Sequence, residues 1–407
     1  MDRRKFLSVT GGGVGAVAAS GLFLTSGCGK KENTLKIVSS LPRTGSAQGQ
    51  TDTIVNGIKM AIDDYGGEIA GMKLQHQDKD DATAAQGQWD AGKEADNARE
   101  AVSDKDVMVV IGPYNSGAAK VSMPILNEAG LVQISPAATW PGLTKPVPGL
   151  KNDEPMVYRP SGKITFCRVC PTDDTQGPLT ARYIFNELKA KTVYILDDKE
   201  LYGAGIAGLF KAECEKLGIK VLGHQSIVVS QQNFKGLMKE VADLKPDVVY
   251  FGGTTQSKGP QIAIDMKGEG LNCPLFVPDG CYEEAFIKAA GPEVLNGRVY
   301  ATIGGKDPSQ LTGAGADFVK KYKEKYKSDP EAYSVYGYEA AKVFLEAVKK
   351  VGKKDREEIR KAVLATKDFA AGCLGSWSFN DDGDTTLQVL TISKIENGKF
   401  KPVKTQE

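Results

Sequence analysis

Between Leu35 and Thr302 short apolar runs alternate with segments of helical period, and this alternation confines the chain to a layered α/β fold more tightly than any other feature. Leu35–Ser39 is a β-rich run. After the turn residues Pro42 and Gly45, Ile54, Ile58, Ala61 and Ile62 fall at helical spacing within Thr53–Tyr65. Lys73–Gln77 then reads as a strand, Ala91–Val102 as a helix and Val107–Gly112 as a fully apolar strand. Ala118–Ala129 is a helix with Val121, Ile125 and Leu126 inward, and Leu131–Ser135 is a strand. Parallel strands need crossovers and are buried on both faces, so this order predicts a parallel sheet flanked by helices.

Pro141–Gly162 carries neither period and reads as a surface excursion. The plan then repeats. Ile164–Val169 is extended, Gly177–Leu188 helical, Thr192–Leu196 a strand, Gly203–Leu217 a helix, Lys220–Ile227 a strand, Phe234–Leu244 a helix and Val248–Phe251 a strand. Gln261–Gly268, Pro274–Val277, Tyr282–Ala290 and Arg298–Thr302 continue it, and helices follow at Thr312–Tyr326 and Tyr333–Val351. Trp377–Phe379 and Leu387–Glu396, either side of the Asp381-Asp382-Gly383-Asp384 turn, read as a hairpin.

The 407 residues suffice for two or three domains with cores of their own. Fifty-two Lys and Arg nearly balance 51 Asp and Glu, so nothing provides the basic surplus that a nucleic acid partner requires. Two histidines, His76 and His224, far apart in sequence, offer little to a metal site or to His-dependent catalysis. Neither a G-x-S-x-G elbow nor a phosphate-cradling G-x-x-x-x-G-K-[ST] is present, so neither an enzyme nor a cofactor site is expected.

Arg3, Arg4 and Lys5 precede Gly11–Leu24, a small and apolar run that ends at Thr25, Ser26, Gly27 and Cys28. This is a signal-peptide pattern over residues 1–27, too short to span a bilayer as a helix. The arginine pair followed by Lys5, Phe6 and Leu7 resembles a twin-arginine export signal. The small residues leading into Cys28 resemble a lipoprotein cleavage box, so Cys28 is the expected lipidation site and residues 28–34 a polar tether. Loss of Arg3, Arg4, Lys5 and Asp2 takes the formal charge from +1 to −1. The expected location is the periplasm or the outer face of the cytoplasmic membrane. Cys167, Cys170, Cys214, Cys273, Cys281 and Cys373 read as buried or structurally paired. Cys167 and Cys170 lie three apart on an extended segment, which points them to opposite faces, unlike a helix-initiating redox pair.

In open α/β sheets ligands bind beyond the carboxyl ends of strands, so the strand exits are where chemistry is expected. Val107–Ile111 exits into Gly112, Pro113, Tyr114, Asn115, Ser116 and Gly117, where a hydroxyl and free N–H groups at a helix start suit a carboxylate. Ser116 fits a simple helix N-cap equally well. Leu131–Ile134 exits into Ser135, Pro136, Ala137, Ala138, Thr139 and Trp140. Val248–Phe251 leads to Gly252, Gly253 and Thr254, and Leu275–Val277 to Pro278, Asp279 and Gly280. Asp279 is either a turn residue or the negative half of a site for a zwitterion.

Several of these segments together resemble the substrate-binding proteins of branched-chain amino-acid-type ABC importers, the type I periplasmic binding proteins. The segments are Leu41-Pro42 with Thr44-Gly45 and Asn56-Gly57; Ile111-Gly112 with Ser116; Pro136-Ala137-Ala138-Thr139; Asp174 with Gln176-Gly177; Tyr202-Gly203 with Gly205; Pro246-Asp247 before Tyr250-Phe251-Gly252-Gly253; and Pro278-Asp279-Gly280. The resemblance implies an α/β fold of two Rossmann-like lobes, each a mostly parallel sheet flanked by helices, joined by three hinge crossovers. Lobe one would comprise residues 35–165 and 304–374, and lobe two residues 166–303 and 375–407.

The resemblance also implies that Ser116 and Thr139 hold an amino acid's α-carboxylate, while the Ala137 carbonyl, the Thr139 hydroxyl and Asp279 take its α-ammonium. Asp279 stands where the family often has Glu, and so reaches less far. Tyr202 would cover the ligand and Asn115 would lie beside its side chain. Thr254 stands where branched-chain binders have an aromatic, and no aromatic lies between Thr44 and Thr53, so a less apolar pocket than a leucine site is expected. The implied partners are an amino acid and an inner-membrane ABC permease with its ATPase, served by a monomer whose membrane contact is a lipid anchor. An amide or aromatic-acid ligand, or a ligand-sensing module for a membrane receptor, remain as alternatives.

Overall fold

The computed structural model describes residues 33–150 and 152–406, so the leader, its Cys28 and most of the tether lie outside the described residues. Two separate sheets form the frame. The first orders its strands Glu68–Ile69, Met72–Asp80, Thr34–Leu41, Val107–Ile111, Val132–Ser135, Phe166–Arg168. All pairs are parallel except the first. The second runs Lys220–Ser226, Thr192–Asp197, Val248–Gly252, Leu275–Val277, Val299–Gly304, then Leu390–Glu396 and Lys399–Gln406. Its first five strands pair in parallel, and the last two are added by antiparallel pairings.

The apolar runs become the buried central strands. Every residue of Val107–Ile111 and of Val248–Gly252 is buried, as strands covered on both faces must be. Helices Gln48–Asp63 and Ser334–Val351 pack together in the first lobe, and Asp173–Asn186 and Leu201–Lys216 in the second. In each sheet the chain winds outward in both directions from its first strand, Thr34–Leu41 or Thr192–Asp197. The strand order therefore reverses beside that strand, where a crevice opens at the carboxyl ends.

The chain passes between the sheets three times: after Arg168, after Gly304, and between residues 385 and 390. Three details depart from the sequence reading. Phe166–Arg168, assigned to lobe two, pairs with Val132–Ser135 and ends the first sheet, because its buried Arg168 is anchored among lobe-one carbonyls. Leu390–Glu396 pairs not with Trp377–Phe379 but with Lys399–Gln406. The reason is the two-residue turn Asn397-Gly398, with φ of 53° and 68°, which suits the twist of a hairpin. Helix Arg356–Leu364 was not expected, although Asp355 caps it by accepting from the Glu358 N–H at 3.0 Å.

The segment 141–162 is only partly a surface excursion. Pro141–Leu143 and Met156–Tyr158 form short turns, and Leu143, Val147 and Tyr158 are buried against Trp140, Met123 and Phe166. Leu150, Met156 and Val157 stay exposed. All six cysteines among the described residues are unpaired, five of them buried and Cys273 half-buried. Burial pushes the Cys167 and Cys170 thiols up, which keeps them protonated and unreactive.

Candidate functional site

The lobe-one wall begins at Gly112, which ends a central strand with φ +136°; a Cβ there would lie 2.2 Å from the Ser40 carbonyl. Only glycine permits that close passage. The chain then turns through Tyr114 and Asn115 into helix Ser116–Glu128. Asn115, not Ser116, is the N-cap, and no side-chain bond caps the helix. Ser116 Oγ instead accepts from the Trp140 N–H at 3.2 Å, tying this exit to the next one. Its own hydroxyl proton and the unpaired N–H groups of the first turn remain available to an anion.

The second lobe-one exit, residues 136–140, is shaped from behind by Arg168. Its guanidinium is fully buried, donates to the Ala138 and Trp140 carbonyls at 2.7 and 2.8 Å, and pairs with Asp384 at 2.7 Å. Thr144 Oγ1 accepts a fourth bond at 2.5 Å. Ser135 Oγ accepts from the Ala138 N–H at 2.8 Å and donates to the Pro113 carbonyl. Ala137 and Thr139 are thus held on a braced loop. Trp140 extends to lobe two, where a Cβ on Gly205 would lie 2.3 Å from its ring.

Lobe two contributes Asp279, on a short turn after Leu275–Val277. Its Oδ1 accepts from Gln176 Nε2 at 2.7 Å and from the Tyr202 hydroxyl at 2.5 Å, and its Oδ2 accepts from the Tyr333 hydroxyl. Gln176 is itself fixed, its Oε1 accepting from Thr302 Oγ1 at 2.7 Å and the Asp279 N–H at 3.1 Å. Thr254 shares its hydroxyl with Ser257, 3.1 Å away, in a tight turn that also receives the Thr254 N–H.

The electrostatics follow from burial. Asp279 is 3% exposed and its carboxyl is pushed up by burial, against the pull of the hydrogen bonds from Tyr202, Tyr333 and Gln176. Asp173, at the start of helix Asp173–Asn186, is pushed well up by burial and then by the nearby Asp279 charge. Its Oδ1 accepts from Gln176 Nε2 at 3.2 Å; its Oδ2 and the Thr139 hydroxyl are buried facing each other, the hydroxyl pulling the carboxyl's pKa down, and neither makes a close hydrogen bond. Asn115 Oδ1 is a third buried, unpartnered atom. Unmet polar groups are costly, and a cluster of them at strand exits marks where a polar ligand belongs.

Tyr114, Asn115, Ser116 and Ala137 from lobe one, with Tyr202, Thr254, Asp279 and Gly280 from lobe two, line one hollow of ≈ 10 Å³. That is about the room of a single water. Of the residues singled out in the sequence, only Thr139 is not among its lining; it sits behind, toward Asp173. Sequence reasoning named Tyr114 in a strand exit without a role, and missed Arg168, Asp173, Tyr333 and Gln50, whose amide joins the Tyr333 N–H to the Tyr282 carbonyl, 3.2 Å each way. Gln176 stood in a quoted motif without a role.

The family model described as periplasmic binding protein matches residues 34–399. The chain belongs to that family. Its members are solute-binding rather than catalytic, and the family is one of exported, periplasmic proteins. The chain is 30% identical over 363 residues to the Leu/Ile/Val-binding protein BraC3 of Rhizobium johnstonii, covering 88% of this chain and 91% of that one. It is 32% identical over 292 residues to Leu/Ile/Val-binding protein homolog 1 of Brucella abortus, covering 72% and 73%. Among solved structures, the leucine binding protein LivK of Thermotoga maritima superposes with a TM-score of 0.80 at 24% identity, covering 91% of this chain and 98% of that one. A solute-binding protein of R. palustris in complex with benzoate gives 0.76 at 21% identity, covering 91% and 96%. These likenesses establish the two-lobed fold.

Proposed function

We propose that the protein captures an amino acid, as the zwitterion, between its lobes and delivers it to an ABC permease driven by an ATPase. The observation that carries this reading is that Ser116, at a helix start in lobe one, and Asp279, in lobe two, line the same hollow. The α-carboxylate is assigned to Ser116 and the free N–H groups beside it, and the α-ammonium to Asp279, the Ala137 carbonyl, Thr139 and the half-satisfied Asp173. Each lobe then holds one half of the site, and a ligand bridges them only when the hinge closes, so binding shifts the equilibrium toward the closed form. The ligand's charges in turn find partners in a site from which water is excluded. Relatives named for leucine, isoleucine and valine support the amino-acid class. The leader read over residues 1–27 supports twin-arginine export, and Cys28 a lipid anchor that keeps the protein beside the permease.

The benzoate complex of a structural neighbour supports a second reading, an aromatic acid. Such a ligand would use the Ser116 wall but leave Asp279 without a cation. Titration calorimetry separates the two. We expect at least one L-amino acid to bind while benzoate and simple amides release no heat. Saturable binding of benzoate, with every amino acid silent, would reject the zwitterion site.

A further inference from the structure

With the α-carboxylate at Ser116 and the α-ammonium at Asp279, the walls left for the ligand's side chain are Tyr114, Asn115, Tyr202, Thr254 and Gly280. Tyr114 is backed edge-on by the Tyr333 ring, with centroids 5.9 Å apart. Tyr333 is 1% exposed and cannot retreat: its hydroxyl donates to Asp279 and its N–H donates to Gln50 Oε1 at 3.2 Å. Gln50, fully buried, reaches on to the Tyr282 carbonyl of lobe two. Tyr333 and Gln50 of lobe one therefore hold the Tyr114 wall rigid from behind. At the same wall Asn115 Oδ1 is a buried acceptor with no donor, whereas the Thr254 hydroxyl is already engaged by Ser257.

Resting on the amino-acid reading above, we infer that the ligand is an amino acid with a small side chain that donates a hydrogen bond, of the serine and threonine class, and that Asn115 selects it. A site built to receive a donor discriminates strongly against analogues lacking one, because its acceptor is otherwise left unmet. The test is calorimetry on the purified protein with L-serine, L-threonine, L-alanine, L-leucine and benzoate. Serine or threonine should bind on the order of a hundredfold more tightly than leucine and about tenfold more tightly than alanine. Asn115→Ala should erase the preference for serine or threonine over alanine. Because the wild-type ratios are measured independently, a poorly folding variant does not obscure the result. Leucine binding as tightly as serine overturns this inference and leaves the amino-acid reading standing. Serine binding no better than alanine removes the role of Asn115. Benzoate binding with no amino acid overturns both.

Discussion

Asp279→Ala should lose amino-acid affinity by a hundredfold or more. The replacement removes the one lobe-two carboxylate lining the hollow and strands an ammonium in a closed site. Breaking a buried pair from one side costs about 3–5 kcal/mol, and each 1.4 kcal/mol is about tenfold in affinity. Alanine also leaves the Tyr202, Tyr333 and Gln176 donors without their acceptor, so folding must be controlled for. Asp279→Asn does this: its amide oxygen still accepts from Gln176 and Tyr202, its NH2 faces the Tyr333 hydroxyl, which can turn to accept, and the shape is kept but the charge is gone. The expected pattern is a near-normal melting temperature for the Asn variant with affinity almost as poor as for Ala. Affinity should also fall on acidification. Burial raises the Asp279 pKa above its ordinary value, so its carboxylate takes up a proton sooner on acidification and then no longer pairs with an ammonium. Wild-type affinity in both variants would remove Asp279 from the site.

Arg168→Met should cost stability more than any change at the surface. Arg168 makes four short bonds in a fully buried position, and without it Asp384, 3% exposed, keeps Lys145 at 3.5 Å and the Thr144 hydroxyl. An uncompensated buried carboxylate is destabilising by about 3–5 kcal/mol. Burial alone would push the Asp384 carboxyl up, but the Arg168 charge and hydrogen bond, aided by Lys145, hold it below its ordinary value. A carboxyl with a depressed folded pKa contributes stability above its unfolded pKa and loses it as pH falls through the folded one. Thermal melts should therefore show the wild type's advantage over Arg168→Met at neutral pH shrinking in acid. Adding Asp384→Asn to the variant should recover part of the loss. Ligand affinity should drop as well, since Arg168 fixes the Ala138 and Trp140 carbonyls on either side of Thr139. A neutral-pH melt indistinguishable from wild type would contradict this role.

The frame was legible because it is written locally. Val107–Ile111 and Val248–Gly252 announce buried strands by unbroken apolar runs, and Ser116, Ala137, Thr254 and Asp279 were found simply as residues following such strands. The bracing was not legible because it is long-range. Arg168 meets Asp384 across 216 positions, Gln176 meets Asp279 across 103, and Gln50 meets Tyr333 across 283. Nothing in their neighbourhoods distinguishes these polar residues from surface ones until the lobes are assembled. The misplaced hairpin is different: Asn397-Gly398 carried the turn signal, but the polar Lys399–Gln406 strand lacks the apolar run that would have recruited it.

The central claim is that one ligand holds both lobes at once, and small-angle scattering with and without saturating amino acid addresses it most directly. The account predicts a smaller radius of gyration on ligand addition in the wild type, and none in Asp279→Asn at the same ligand concentration. Calorimetric binding at full affinity with no contraction in the wild type would mean that the ligand rests on one lobe alone, and would contradict it.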